Sequence, residues 1–295
     1  MTVCERALPA AGLDAADGNG TVHHVAAEVL EVSPLGPYWR LSMLAPGIAA
    51  DHRPGQFLSV AVGTGLETPL RRCFSVLDAD QETGRFEIAF AIYSQGTQWL
   101  ARRQSGDPVD VVGPLGRGFP PPPRRGRCLL VGGGHGATAL YRLAHDCAAG
   151  GNSVHVILGA GTLDLLFGVE LFTEIADSVS LSTDDGSVGL RGTVCTALPE
   201  IVASLEPTVI YAAGPMPMLR AVAEQASELD VPSYVATEAA MACAIGVCMT
   251  CVLPVVNDDD GVTRMTRICV DGPVFRGDLV RWADVGTVPA DCWGA

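Results

Sequence analysis

The sequence predicts a multi-domain β and α/β protein with an antiparallel β-barrel, a parallel-sheet α/β domain and a small C-terminal module. Three observations predict this order: short β-type runs broken by glycine and proline, then strands that alternate with helical patterns, then a cysteine-rich stretch. The predicted parts are a flexible tail at 1–20, a barrel at 21–123, an α/β domain at 124–232 and a cysteine-rich module at 233–295.

The composition narrows the classes of partner. The chain has 295 residues, 48% of them hydrophobic, with 19 basic and 33 acidic residues and a net charge of −14. An acidic chain lacks the basic stripe that nucleic acid or an anionic membrane surface requires, so neither is expected as a partner. Residues 1–20 show no basic stretch followed by an apolar one, so no signal peptide is expected. The 10 cysteines therefore suggest metal ligands and buried thiols in the cytoplasm rather than disulfides.

The barrel prediction depends on a series of short runs in which apolar residues recur between turns. Such spacing is typical of an antiparallel barrel or sandwich. The proline run at 120–123 then predicts a stiff connector. The runs are VHHVAAEVLEV, YWRLSML, QFLSVAV, CFSVLDA and RFEIAFAIY.

The α/β prediction depends on a change of rhythm after this connector. Buried strands at 128–134, 153–160, 179–185 and 209–215 alternate with helical patterns at 139–151, near 168–177 and at 216–229. Strands that alternate with helices predict a parallel sheet with helices on both faces.

The strongest motif is Cys243-x4-Cys248-x2-Cys251, followed after seventeen intervening residues by Cys269. This is the spacing of a plant-type [2Fe–2S] site, in which four thiolates surround two irons. A four-cysteine zinc site is the alternative, although such sites usually contain two C-x2-C pairs and only one pair here has that spacing. Inert buried cysteines are a third interpretation.

The same region contains an uncharged segment at 239–256 that is long enough to suggest a membrane span. Its three cysteines, Pro254 and the acidic turn that follows at 257–261 instead favour a loop that leads into a β-hairpin.

A glycine turn closes the first strand of the α/β region. Residues 132–137 fit the pattern G-x-G-x-x-A, in which glycines let the backbone approach a pyrophosphate at a helix N-terminus. The acidic residue that binds ribose in an ordinary dehydrogenase is missing from the next strand, and a simple tight turn remains the alternative. A second glycine turn, at 213–219, follows a later strand and is expected at the same carboxyl edge of the sheet.

Within the barrel, the run Arg71-Arg72-Cys73-Phe74-Ser75 could bind a flavin, because an arginine can pair with a pyrophosphate. Taken alone it is a strand with two surface arginines. The turns at 96–97 and 114–119 are likewise ordinary unless a flavin phosphate lies over them.

The remaining polar candidates carry less information. The six histidines have no metal-ligand spacing, and Asp184-Asp185 is interpreted as a turn, so no catalytic general acid or base is expected. Five cysteines are expected to be ordinary thiols: Cys4, Cys128, Cys147, Cys195 and Cys292.

Together, these motifs resemble the ferredoxin-reductase-like flavoprotein family over about residues 22–280, and more narrowly the electron-transfer subunits of NAD-linked dihydroorotate dehydrogenases. The resemblance implies FAD binding at Arg72, Cys73, Phe74, Ser75, Gly96 and Thr97. It implies NAD binding at Gly132, Gly133, Gly134, Gly136, Gly214 and Pro215. It implies that the [2Fe–2S] ligands are Cys243, Cys248, Cys251 and Cys269.

The implied function is to pass electrons from an FMN-containing catalytic subunit, which oxidises dihydroorotate in pyrimidine biosynthesis, through [2Fe–2S] and FAD to NAD⁺. The implied assembly contains two copies of each chain. A reductase subunit of a hydrogenase, glutamate synthase or transhydrogenase complex is the alternative, and a zinc-stabilised nucleotide-binding regulator without turnover is a further one.

Three residues depart from the family pattern. Cys73 stands where proline is common, His135 replaces an aliphatic residue in the glycine turn, and Ala213 stands where cysteine is frequent before Gly-Pro. The His135 change is expected to alter affinity for the pyridine nucleotide, and the Ala213 change to affect the efficiency of hydride transfer.

Overall fold

The first part of the chain closes into a six-stranded antiparallel barrel in a computed structural model that describes residues 21–63, 65 and 68–293. The predicted tail at 1–20 and Cys4 lie outside these residues. The barrel order is β1-β2-β5-β4-β3-β6. The strands are β1 (His23–Leu35), β2 (Tyr38–Leu44), β3 (Phe57–Val60), β4 (Arg72–Asp80), β5 (Arg85–Phe90) and β6 (Pro108–Leu115), with helices α1 (Pro46–Asp51) and α2 (Gln95–Ala101) between them.

The barrel interior is filled by alternate residues of its strands. In β2, for example, Leu41 and Met43 are fully buried and pack with Phe86 and Ile88 of the neighbouring β5. Period-two burial of this kind is what the short apolar runs predict.

The second part is a seven-stranded sheet in the order β10-β9-β8-β7-β11-β12-β15, in which only the edge strand β15 is antiparallel to its neighbour. The strands are β7 (Arg127–Gly133), β8 (Ser153–Ala160), β9 (Ser178–Thr183), β10 (Leu190–Arg191), β11 (Val209–Ala213), β12 (Ser233–Ala236) and β15 (Val274–Arg276). The helices are α3 (Thr138–Ala149), α4 (Val169–Thr173), α5 (Val194–Leu205) and α6 (Met216–Glu228).

Helices cover both faces of this sheet, so its central strands are buried on both sides. Leu140 of α3 packs in one apolar cluster with Leu130 of β7, whereas Leu219 of α6 packs in another with Leu129. The predicted fold class is therefore confirmed. Strands β12 and β15 lie within residues 233–295, the predicted cysteine-rich module, so this segment also contributes to the sheet.

Between β12 and β15, the chain forms the loop that contains three of the motif cysteines, then a hairpin and a short helix. These elements are β13 (Val252–Val256), β14 (Thr263–Arg267) and α7 (Ile268–Asp271). The uncharged segment 239–256 is thus loop and strand. Within the described part of the chain, no helix has the length and hydrophobicity needed to cross a membrane.

Polar contacts join the barrel to the α/β domain. Arg142 of α3 donates to the carbonyl oxygen of Ala79 at 2.6 Å and lies 3.2 Å from the carboxylate of Asp78, both on β4. Tyr38 of β2 donates to the carbonyl oxygen of Leu165 at 2.9 Å. These bonds fix the cleft between the two parts.

Candidate functional site

A cleft of about 170 Å³ lies where the barrel, the sheet and the cysteine-bearing loop meet. Its walls include predicted residues from both cofactor motifs: Cys73, Phe74, Ser75, Gly136 and Gly214. The start of the cysteine-bearing loop contributes Glu238 and Met241, and Ala213 lines the wall as well. Motifs that are far apart in sequence are thus brought to one place. Gly96 and Thr97 are not among the lining residues.

The two adjacent arginines where β4 begins have different roles: Arg71 directly precedes the strand, and Arg72 is its first residue. Arg71 donates to the carbonyl oxygens of Ser59 and Asp110, each at 2.9 Å, and to the Asp110 carboxylate at 3.0 Å. It therefore links β3, β4 and β6, and its hydrogen bond lowers the pKa of Asp110. The guanidinium of Arg72 donates only to backbone carbonyls among the described residues, those of Leu70 at 2.8 Å and of Arg71 at 3.3 Å. Among the described residues Arg72 forms no ion pair, so its charge can be offered to an anion.

Phe74 and the turn at 96–97 show how the barrel supports its side of the cleft. The ring of Phe74 lines the cleft and also packs against Phe90 in the barrel core, with ring centroids 5.9 Å apart. Thr97 Oγ1 accepts hydrogen bonds from the backbone N–H groups of Tyr93 at 3.0 Å and Ser94 at 3.1 Å. This hydroxyl therefore shapes the turn that begins α2.

The two glycine turns touch at the carboxyl edge of the sheet. Strands β7 and β11 are parallel neighbours, with Gly132 paired to Ala213, so Gly132–Gly134 and Gly214–Pro215 leave the sheet side by side. A Cβ atom at Gly136 would lie 2.5 Å from the Cα atom of Gly214. Only glycine at 136 permits this approach, and it leaves backbone groups facing the cleft.

His135, in the first glycine turn, forms a hydrogen bond to the barrel. Its Nε2 lies 2.7 Å from the carbonyl oxygen of Ala89 on β5, so Nε2 carries a proton and donates it. Its ring lies near those of Tyr38, at 5.4 Å, and Phe167, at 6.0 Å. Burial lowers the pKa of His135. The sequence marks His135 only as an unusual residue, since its partner is distant in sequence.

The four motif cysteines form two neighbouring pairs. The backbone N–H of Cys248 donates to the sulfur of Cys243 at 3.4 Å. Cys251 and Cys269 are both buried and pack in one apolar cluster. Over the described residues, no set of three or more His, Cys, Asp or Glu side chains surrounds a single point as it would around one metal ion.

The two pairs differ in their environment. Hydrogen bonds from Thr250, and then from Cys243, lower the pKa of the exposed Cys248 to about 6. Burial, followed by the hydrogen bond with Cys251, raises the pKa of Cys269 to about 12. Four cysteines arranged as two pairs fit a two-iron cluster, which takes two protein ligands at each iron.

Cys73 adds a fifth thiol at this junction. It lies on β4 within the flavin motif, lines the cleft, and packs in the same apolar cluster as Cys251 and Cys269. Burial, then the nearby Cys251 and Cys243, raise its pKa to about 12. From the sequence it is only a replacement for proline, because its nearness to the other cysteines is a tertiary contact.

Solved structures identify the class of protein. The chain is 30% identical to a structure described as an NADH-dependent reduced ferredoxin-NADP oxidoreductase, with a TM-score of 0.76 and coverage of 90% of this chain and 92% of that one. An Amycolatopsis cytochrome P450 reductase shares the fold at 22% identity, with a TM-score of 0.60 and coverage of 74% and 69%. The fold is that of a ferredoxin-reductase-like flavoprotein.

Curated relatives narrow this class. The electron transfer subunit of dihydroorotate dehydrogenase B (NAD(+)) from Bacillus caldolyticus is 41% identical over 231 residues, 77% of this chain and 87% of the relative. The corresponding subunit of Geobacillus thermodenitrificans is 37% identical over 245 residues, 82% and 92% of the two chains. Residues 238–281 match the iron-sulfur cluster binding domain of dihydroorotate dehydrogenase B. The chain belongs to the family of electron transfer subunits of dihydroorotate dehydrogenase B.

Family membership confirms the predicted resemblance and the predicted class of enzyme, an oxidoreductase subunit with FAD, NAD and [2Fe–2S] as its cofactors. It also implies a catalytic partner subunit.

Proposed function

We propose that this chain conducts electrons to NAD⁺ from a catalytic subunit that oxidises dihydroorotate. The electrons pass by way of a [2Fe–2S] cluster and FAD. The observation that carries the proposal is the cleft itself, where the flavin motif, the two glycine turns and the start of the cysteine loop meet. Electron transfer between three cofactors requires their binding sites to adjoin, and the nearness of the three motifs at this cleft supports the proposal.

The cofactors supply the chemistry, because nicotinamide exchanges two electrons as hydride, an iron–sulfur cluster exchanges one, and flavin can do both. The chain's own residues bind and orient. Arg72 offers a guanidinium to a flavin pyrophosphate, and Gly136 and Gly214 let a dinucleotide approach the backbone. No side chain is assigned as a general acid or base.

The proposed units follow the predicted division. Residues 21–123 bind FAD, with Arg72, Cys73, Phe74, Ser75, Gly96 and Thr97 as the contact set. Residues 124–232 bind NAD, with Gly132, Gly133, Gly134, Gly136, Gly214 and Pro215 as the contact set. Residues 233–295 bind the cluster through Cys243, Cys248, Cys251 and Cys269, while β12 and β15 join this unit to the sheet.

The surface around the cysteine loop suits a protein partner. Ile245, Val247 and Met249 are 56%, 77% and 51% exposed, and they flank Cys248, which is exposed as well. Apolar side chains gathered beside an exposed ligand favour docking of another protein at this point. We propose that the partner contains FMN, that two copies of each chain assemble, and that the complex works in the cytoplasm, where thiols stay reduced.

A second candidate is a reductase subunit of another electron-transfer complex. The similarity that favours it is the 30% identity, over 90% of this chain, to the NADH-dependent ferredoxin-NADP oxidoreductase structure. Dihydroorotate dehydrogenation remains preferred because the curated relatives share 37–41% identity.

Co-purification tests the proposal and separates the candidates. The chain is expressed with the genes that neighbour its own, and the purified complex is assayed for NAD⁺ reduction by dihydroorotate. Flavin and iron–sulfur absorption together with dihydroorotate-dependent NADH formation is the expected result. Ferredoxin-dependent activity without dihydroorotate turnover would favour the second candidate, whereas a colourless protein that contains zinc would refute both.

A further inference from the structure

The cysteine loop is held at Gly246, which lies between Cys243 and Cys248. Its carbonyl oxygen accepts a hydrogen bond from Arg267 Nη1 at 3.3 Å. Across this residue, the backbone N–H of Cys248 donates to the sulfur of Cys243 at 3.4 Å. Arg267 thus holds a turn that directs an N–H group at a ligand sulfur.

The conformation at Gly246 leaves no substitute for glycine. Its φ of +82° is strained for any other residue, and a Cβ atom there would lie 2.6 Å from Cγ2 of Val270. The same Cβ atom would lie 3.3 Å from Arg267 Nη1, so the guanidinium packs directly on this turn.

Asp271 holds the guanidinium from the other side. Its Oδ2 accepts the backbone N–H of Arg267 at 2.9 Å and lies 3.5 Å from the side-chain Nε. The arginine and aspartate side chains are 31% and 18% exposed, so solvent screens this contact only in part. Because Nε and Nη1 face different partners, the planar guanidinium spans from Asp271 to Gly246.

Arg267 also brings charge to an uncharged region. Residues 239–256, which include three of the four motif cysteines, contain no charged side chain. Four thiolate ligands give a [2Fe–2S] centre a net negative charge, and reduction adds one more. A fixed cation on the loop, and an N–H directed at a ligand sulfur, both stabilise the reduced state relative to the oxidised state.

We propose that Arg267 is a positioning residue that sets the reduction potential of the cluster. It fixes Gly246 so that the backbone N–H of Cys248 stays directed at the Cys243 sulfur, and its own charge offsets that of the thiolates. This inference rests on the proposed function, because it requires a [2Fe–2S] cluster on the four cysteines.

The test compares three variants of the full chain, with its cofactors, by redox titration followed by electron paramagnetic resonance of the reduced cluster. Arg267→Gln removes the charge, and Arg267→Lys keeps the charge but cannot span Asp271 and Gly246 together. Arg264→Gln is the matched control, because Arg264 lies on the same strand but pairs at 2.6 Å with Asp260 in the outer turn. A second readout is the rate at which a chelator removes iron.

Arg267→Gln is expected to lower the reduction potential of the cluster by about 59 mV. For one electron, this shift is a tenfold lower ratio of reduced to oxidised cluster at a given potential. Arg267→Lys is expected to shift the potential less but to lose iron several-fold faster than the wild type, since the loop is no longer held. Arg264→Gln is expected to match the wild type in both.

An unchanged potential in Arg267→Gln with an intact cluster would overturn the inference and leave the proposed function standing. If Arg267→Gln assembles no cluster, the result for Arg267→Lys is decisive. The inference is overturned if Arg267→Lys has both the potential and the rate of iron loss of the wild type. A wild-type chain that forms no [2Fe–2S] cluster after anaerobic reconstitution removes the proposed function and the inference together.

Discussion

Replacing His135 by leucine should weaken pyridine-nucleotide binding, because it releases the glycine turn from the barrel. Leucine retains apolar volume beside Tyr38 and Phe167 but has no group to donate to the carbonyl oxygen of Ala89, now 2.7 Å from His135 Nε2. The turn that should receive the nucleotide then loses its polar tie to the strand that supports the flavin motif.

The size of the effect follows from these contacts. A partly buried hydrogen bond contributes about 1 kcal/mol net, and an aromatic contact about 0.5–1.5 kcal/mol, part of which leucine keeps. If the whole loss of about 1–2 kcal/mol destabilises the conformation that binds NADH, the dissociation constant of NADH rises roughly 5- to 30-fold. His135→Gln is the matched variant, since its side-chain amide can still donate to Ala89.

The assay measures the dissociation constant of NADH by titration and hydride transfer to the flavin by stopped-flow absorbance. We expect His135→Leu to raise the dissociation constant within that range, while His135→Gln stays within about twofold of the wild type. Equal NADH affinity and equal thermal stability in His135→Leu and the wild type would refute the idea that His135 holds the glycine turn against the barrel.

The pH dependence of stability gives an independent check on the same residue. Burial lowers the pKa of folded His135 below its ordinary value of 6.5, so the unfolded chain takes up a proton first as the solution is acidified. The stability due to the neutral ring is therefore complete above pH 6.5 and is lost as the pH falls below it. His135→Gln should lose less stability than the wild type between pH 7 and pH 5 in thermal unfolding.

Three further predictions concern other sites. Arg72→Ala should weaken FAD retention about tenfold or more, the effect of losing a charge-assisted hydrogen bond, and full flavin occupancy after extensive dialysis would contradict it. Cys248→Ala should abolish the cluster signal and partner-linked activity while NADH-to-dye reduction partly survives, and unchanged partner-linked activity would exclude Cys248 as a ligand. Burial lowers the pKa of His52 to about 3, so acid should destabilise the wild type by roughly 1.4 kcal/mol per pH unit below 6.5, and chemical denaturation of His52→Gln should show a flatter profile.

The motifs that sequence alone could identify are those with local chemistry. Cysteine spacing, the glycine turn at 132–137 and the strand that carries Phe74 each depend on residues within one short segment. The order of the strands in the sheet then places the ends of β7 and β11 side by side, which brings the two glycine turns together.

The contacts that sequence could not identify join residues distant along the chain. Arg71 and Arg72 are identical neighbours in the sequence, and only the barrel shows that Arg71 is committed to Ser59 and Asp110. His135 and Cys73 likewise gain their roles from partners in other domains. A substitution that departs from a family pattern marks such a position but does not name its partner.

The anchoring of the cysteine segment explains how the cluster site reaches the flavin site. Ala236, at the end of β12, pairs with Val274, at the start of β15, so residues 237–273 leave the sheet and return to it at one point. Thr237 closes this base by donating its backbone N–H and its hydroxyl to the carbonyl oxygen of Pro273, at 2.8 and 2.9 Å. The backbone N–H of Arg117, which follows the last barrel strand, donates to Gly272. The sheet therefore fixes the segment at both ends, and the barrel fixes it at Gly272. Its cysteines lie beside the cleft without a long linker, so the position of the cluster site is determined by the edge of the sheet.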